Sequence, residues 1–198
     1  MLLYGSSFFC VKFAVYSLLL WMPLFLAEEL GYKNSEIANV QSLYEIGTVT
    51  GAIILGFLSD KFYSRRSPIG ILSVIVSTFI GYTVTFNYHT MKSSAFATCM
   101  FFLGFFIGSL HHLICMTAAA DLGRQQKGKR ATSTITGIID GIGTSGSGLG
   151  QLLLGTTIQL FGWRHGFMLP ISIVIMLTVI PMGKIFYREI YEILEIRR

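Results

Sequence analysis

Two stretches of this chain, Ser67–Met91 and Ser93–Ala120, contain no Asp, Glu, Lys or Arg. Each exceeds the about 20 residues that a helix needs to cross a hydrocarbon layer of ~30 Å. The remainder agrees: of 198 residues, 53% are hydrophobic and only 13% charged, where a soluble domain carries about 25% charged residues. A chain spanning lipid must satisfy every backbone N–H and C=O within its own segments, which favours helices. The expected fold class is therefore an all-α membrane protein.

Six spans are expected, near residues 3–27, 37–58, 68–88, 94–119, 131–160 and 166–186. Ser67-Pro68 supports the third start, since Ser caps well and Pro suits the first helical position. Asn34-Ser35 offers caps before the second. The joints are too short for a soluble domain, so residues 1–187 read as one transmembrane domain. Residues 188–198 read as a cytosolic tail: Ile185, Phe186, Ile190, Ile193 and Leu194 interleave with Arg188, Glu189, Glu192 and Glu195, as in a helix lying at the interface or a solvated helix end. The first span has no basic leader, carries Lys12 mid-span and is too long for a secretory signal, so it reads as a retained helix. Cys10, Cys99 and Cys115 all fall inside spans, which argues against a disulfide framework.

Cations set the expected orientation. The loop 59–67, the loop 121–130 and the tail hold Lys61, Arg65, Arg66, Arg124, Lys127, Lys129, Arg130, Lys184, Arg188, Arg197 and Arg198, whereas the opposite loops hold only Lys33, Lys92 and Arg164. The positive-inside bias places both termini in the cytosol. The net charge of +5 thus reflects topology; scattered at helix ends, these cations do not form a nucleic-acid patch.

Three ionisable residues remain within spans: Lys12, Glu45 and Asp140. Each costs roughly 2.5–3.5 kcal/mol at mid-helix, so each should face protein or water. Lys12 has Phe8 and Tyr16 one turn away; Glu45 shares helical spacing with Gln41 and Thr48, and Asp140 with Thr136 and Thr144. Such stripes suggest a lined cavity, and the alternative is that Lys12 pairs with Glu45 or Asp140 as structural glue. A phosphate-bearing solute would need a desolvated cation, a role Lys can fill; proton coupling would need a buried carboxylate. His111 and His112 point about 100° apart on a helix, so they cannot chelate one metal together. One is expected to face the cavity with Ser109 and the other to pack.

Gly141-Ile-Gly143-Thr-Ser-Gly146 matches G-x-G-x-x-G in form, but no strand precedes it, which removes the dinucleotide reading. Gly137-xxx-Gly141, Gly146-xxx-Gly150, Gly47-xxx-Gly51 and Gly104-xxx-Gly108 are spacings that let helices approach closely. No nucleophile–base spacing or metal-ligand motif occurs, so neither an enzyme nor a cofactor is expected.

The loop Gly56-Phe-Leu-Ser-Asp60-Lys61-Phe-Tyr-Ser-Arg65-Arg66 resembles the loop signature of the major facilitator superfamily, G-x-x-x-D-[RK]-x-G-x-[RK]-[RK], departing from it at Tyr63. Further segments resemble the C-terminal half of sugar-phosphate exchangers, in the organophosphate:phosphate antiporter family related to the bacterial glycerol-3-phosphate transporter. They are Lys12 nine residues before Trp21-Met22-Pro23-Leu24, Ser42–Asp60, Ala120-Asp121-Leu122-Gly123, Ile138–Gly146, Phe161-Gly162-Trp163 and Gly166-Phe167-Met168. The bacterial relatives carry a basic residue where this chain has Val15; Lys12 matches the eukaryotic lysine better, and Glu45 stands where those exchangers usually have Asp.

The resemblance implies helices seven to twelve of a twelve-helix carrier that exchanges phosphate esters for inorganic phosphate across a lipid bilayer. Taken with the intramembrane charges and their polar stripes, it leads to expected substrate-binding roles for Lys12, Tyr16, Glu45, His111 and Asp140, and a cytosolic gating latch at Gly56, Asp60, Lys61, Arg65 and Arg66. It also implies a second six-helix half as partner, because alternating access needs both halves; the chain is then expected to be a fragment, a truncated product or a half-transporter. The endoplasmic reticulum membrane is favoured over the plasma membrane. Two rival readings are a proton-coupled symporter of neutral or carboxylate solutes using Glu45 or Asp140, and a non-transporting adaptor that binds through its glycine faces.

Overall fold

The computed structural model describes residues 2–61, 67–114 and 129–196. All regular structure among them is helical: α1 (Leu2–Glu28), α2 (Asn34–Lys61), α3 (Ser67–Asn87), α4 (Ser93–Ile114), α5 (Lys129–Gly166), α6 (Met168–Leu177) and α7 (Val179–Ile196). Only Thr178 separates α6 from α7, and Met168–Arg188 is apolar enough to cross as one unit.

α1, α2, α3, α4 and the Met168–Arg188 segment are long and apolar enough to cross a membrane. The expected fifth span, 131–160, forms a helix of sufficient length within α5 but is the exception in composition, because Gly, Ser and Thr replace much of its aliphatic content. Polar backbone on such a helix has to be covered by protein. α1 supplies that cover. Buried Ile135, Ile139, Gly143, Gly146, Gly150 and Leu154 recur at helical spacing along α5. A Cβ on Gly146 would strike the Phe9 carbonyl, and one on Gly150 would meet Ser17 Oγ at 3.0 Å. The two helices thus touch backbone to backbone, as the Gly146-xxx-Gly150 spacing leads one to expect.

α2 and α4 join the same way. The Cβ position of Gly47 meets the Phe101 carbonyl and that of Gly51 the Phe105 carbonyl, while those of Gly104 and Gly108 meet the Tyr44 carbonyl and Thr48 Oγ1. The two expected small-residue pairs are therefore the two sides of one joint. Gly104–Gly108 widens into a single π-helical turn there, and Thr48 Oγ1 donates to the Tyr44 and Gly104 carbonyls at 3.1 and 3.4 Å. Gly137-xxx-Gly141 departs from expectation: nothing lies within 4 Å of either Cβ position, so this spacing forms no joint among the described residues.

α1 is the centre of the bundle, touching α2, α4, α5, α6 and α7. Pro23 lies inside it and, lacking an N–H, leaves the Leu19 carbonyl without its helical donor. Gln41 Nε2 reaches that oxygen from α2 at 3.5 Å. Asn34-Ser35 begin α2, but its first turn is closed by Glu36, whose carboxylate accepts from the Lys33 N–H at 2.9 Å. That is half of a capping box.

At one end of the bundle Phe25 meets Tyr88, Phe96, Trp163 and Phe167, with ring centroids 5.1–6.3 Å apart. Gly162, at φ 70° and ψ 178°, makes this possible, for only glycine takes that conformation without strain. The chain reverses there, and Thr157 Oγ1 donates to the Gly166 carbonyl at 2.7 Å. Ile46, Val49, Ile53 and Phe57 on α2, and Leu72, Ile75 and Phe79 on α3, form apolar stripes facing outward, as suits a lipid-facing surface.

Candidate functional site around Lys12

Lys12 sits midway along α1 with its side chain 7% exposed. Its neighbours on the same helix face are Phe8 and Tyr16, whose ring centroids lie 4.9 and 5.9 Å from Nζ. α5 approaches closely because residue 143 is glycine: a Cβ there would run into the Phe8 ring and lie 3.0 Å from Lys12 Cδ. This contact carries the lysine stem to the polar edge of α5. Nζ donates to Asp140 Oδ1 at 2.7 Å and to Thr144 Oγ1 at 2.9 Å, one helical turn apart. The Thr144 hydroxyl in turn donates to the Asp140 backbone carbonyl at 2.8 Å.

The two partners differ in burial. Asp140 is 48% exposed, so the pair lies at the edge of the bundle with its anion on the open side. Nearby, Gly137, Gly141 and Thr144 are also exposed along α5.

His111 of α4 packs against the same two rings that flank Lys12. Its ring packs edge-on to Phe8 at 5.3 Å and against Tyr16 at 5.8 Å, and its Nδ1 is buried without a hydrogen-bond partner among the described residues. His112 is exposed, 5.0 Å from the His111 ring. Ser109 does not join this group: it is fully buried and donates to the Phe105 and Phe106 carbonyls of its own helix.

Four expected site residues, Lys12, Tyr16, His111 and Asp140, thus meet in one cluster built from α1, α4 and α5. Glu45 lies on the exposed face of α2, and the ion pair of Lys12 goes to Asp140 instead. Its expected companions turn inward to other tasks, Gln41 to Leu19 and Thr48 to the α2–α4 joint. Sequence reasoning gave Thr144 no role of its own, although its spacing from Asp140 was the available signal. It missed the bond from Trp21 Nε1 to Gln151 Oε1, 2.6 Å long, which ties α1 to α5 beyond the cluster; no pattern in the sequence links those residues. Of the expected latch, Gly56, Asp60 and Lys61 close α2, with Lys61 Nζ 5.0 Å from the Phe57 ring centroid. Arg65 and Arg66 lie outside the described residues, as does Cys115.

The family model of the Major Facilitator Superfamily matches residues 5–192. The chain belongs to the Major Facilitator Superfamily. Its all-helical membrane architecture is that of half a major facilitator fold. Among curated superfamily relatives, "Sugar phosphate exchanger 3" of Homo sapiens is 32% identical over 96% of this chain and 38% of its own length. "Glucose-6-phosphate exchanger SLC37A2" of Mus musculus is 29% identical over 90% of this chain and 36% of its own. "Putative glycerol-3-phosphate transporter 5" of Arabidopsis thaliana is 34% identical over 86% of this chain and 36% of its own. The chain spans about two fifths of the length of these relatives.

Proposed function

We propose that this chain serves as the C-terminal six-helix half of a carrier of sugar phosphates and related organophosphates, exchanging them for inorganic phosphate. The observation that carries the reading is Lys12: a buried ammonium at the edge of a membrane bundle, held by aromatic rings and bonded to an open-sided carboxylate and a hydroxyl. Intramembrane charges are costly and tend to mark substrate paths, and Lys can bind phosphate as a point charge. The names of the relatives point to the same solutes.

In this reading Lys12 holds the phosphate, Tyr16, His111 and Asp140 line the cavity, and Glu45 contributes from a different face. Gly56, Asp60, Lys61, Arg65 and Arg66 form the gating latch. The partners are a phosphorylated solute, inorganic phosphate, the bilayer and a second six-helix unit, since alternating access takes place between two halves. Residues 188–198 form the cytosolic tail of the 1–187 domain, both termini face the cytosol, and the endoplasmic reticulum is the favoured membrane. The protein carries solutes and is not an enzyme.

Lys12→Gln tests the reading. In a complete transporter containing this half, counterflow of radiolabelled phosphate against a phosphate ester should vanish while membrane insertion is retained. Undiminished counterflow would remove Lys12 from the solute path.

A further inference from the structure

We infer that Asp140 is a built-in competitor for the anion site: its carboxylate occupies Lys12 until a dianionic phosphate group displaces it, so the site rejects monocarboxylates. This rests on the reading of Lys12 above and adds the role of Asp140 and the charge selection that follows.

The asymmetry of the pair says which partner moves. Lys12 is 7% exposed, clasped by Phe8 and Tyr16, and its stem passes against Gly143. Asp140 is 48% exposed and can swing its carboxylate into the open side at little desolvation cost. An ammonium has three donors. Two are spent on Asp140 and Thr144, so an arriving anion gains a full share of the cation only by taking the place of Asp140.

Charge then decides which anions succeed. A monocarboxylate would swap one single-charged acceptor for another, and the released Asp140 would stay close enough to repel it. A phosphate monoester carries about −1.5 to −2 charges at pH 7 and three strong acceptor oxygens, so it outbids Asp140 for the ammonium. Thr144 is placed to help: its hydroxyl now donates to the Asp140 carbonyl at 2.8 Å and can turn to donate to a phosphate oxygen. The internal carboxylate thereby keeps a lone buried cation neutralised between solutes, where an unpaired one would be costly.

The test is binding of inorganic phosphate and of acetate to the chain in lipid nanodiscs, comparing the unmutated chain with Asp140→Asn and Lys12→Gln. Removal of the competitor should tighten phosphate binding by about tenfold or more and admit acetate, which the unmutated chain excludes. Lys12→Gln should bind neither. If Asp140→Asn keeps its helical content yet binds phosphate no more tightly, while Lys12→Gln still abolishes binding, the competitor role is overturned and the anion reading stands. If Lys12→Gln binds phosphate like the unmutated chain, or if no variant binds it, the anion reading itself fails. Should Asp140→Asn not fold, the unmutated chain and Lys12→Gln, both carrying carboxylate-labelled aspartate, decide. Phosphate should shift one aspartate infrared band in the unmutated chain and none in Lys12→Gln; a spectrum unmoved in the unmutated chain rejects displacement.

Discussion

The Leu19 carbonyl, freed by Pro23, is met by Gln41 Nε2 from the neighbouring helix, an instance of a side chain re-satisfying backbone polarity where water is absent. Gln41→Leu should therefore cost about 1–3 kcal/mol, the penalty of an unsatisfied buried acceptor, measured as a lower unfolding midpoint in mixed micelles; an unchanged midpoint would mean that the contact stabilises nothing. At the bundle end, Tyr88 donates to Glu29 Oε1 at 2.8 Å, and His89 Nε2 lies 3.4 Å from the same oxygen. Burial first, and then the bond to Glu29 and its charge, push the Tyr88 phenol above its ordinary value, with Arg164 pulling the other way. A raised folded-state value means stability that is full below the ordinary phenol pKa of about 10 and is lost as pH climbs through the raised one. Tyr88→Phe should accordingly remove one late-titrating phenol from the alkaline absorbance titration, and a titration with as many late phenols as before would refute the assignment. None of these contacts was legible in the sequence. Pro23 announces a free carbonyl, but which residue answers it depends on the packing of α2 against α1.

At the scale of elements, glycine spacing told where helices could approach and left open where they do. Gly47-xxx-Gly51 and Gly104-xxx-Gly108 face one another, and Gly146-xxx-Gly150 receives α1, whereas Gly137-xxx-Gly141 meets nothing among the described residues. The same substitution should thus have opposite consequences. Gly104→Ala drives a methyl group into the Tyr44 carbonyl, a backbone atom that cannot swing away, and should destabilise by about 1–3 kcal/mol. Gly137→Ala gains helix propensity at no steric cost and should stabilise this chain by roughly 0.5–1 kcal/mol. Parallel unfolding titrations of the two variants check the pair; equal effects would mean that the α2–α4 joint is looser than its geometry implies. The helix ends show the same limit. Ser67-Pro68 opens α3 where sequence rules put it, while the first turn of α2 is closed by Glu36, because a carboxylate three residues in can reach back as well as a cap can reach forward.

For the whole molecule, burial divides helices such as α2 and α3 into a packed face and an outward apolar face. Phe79 is 73% exposed on α3, opposite buried Val74 and Ser77. Phe79→Lys should weaken membrane integration by about 2.5–3.5 kcal/mol, measured by glycosylation mapping in microsomes, whereas full integration would place position 79 against protein or water. The all-helical membrane class and the superfamily were both legible in the sequence, since charge-free runs of this length have one stable home and the loop and glycine motifs are local in the chain. The presence of Lys12, Glu45 and Asp140 as the intramembrane charges was equally a matter of sequence. Their pairing was not, because 128 residues separate Lys12 from Asp140 and Glu45 is far nearer in the chain. Tertiary packing chose Asp140 by bringing α5 against α1 through Gly143, and it left Glu45 on an exposed face of α2. An ion pair depends on distances between helices, which residue order does not encode locally; the need to neutralise a buried cation is intrinsic to the residue, and which anion does so is a property of the fold.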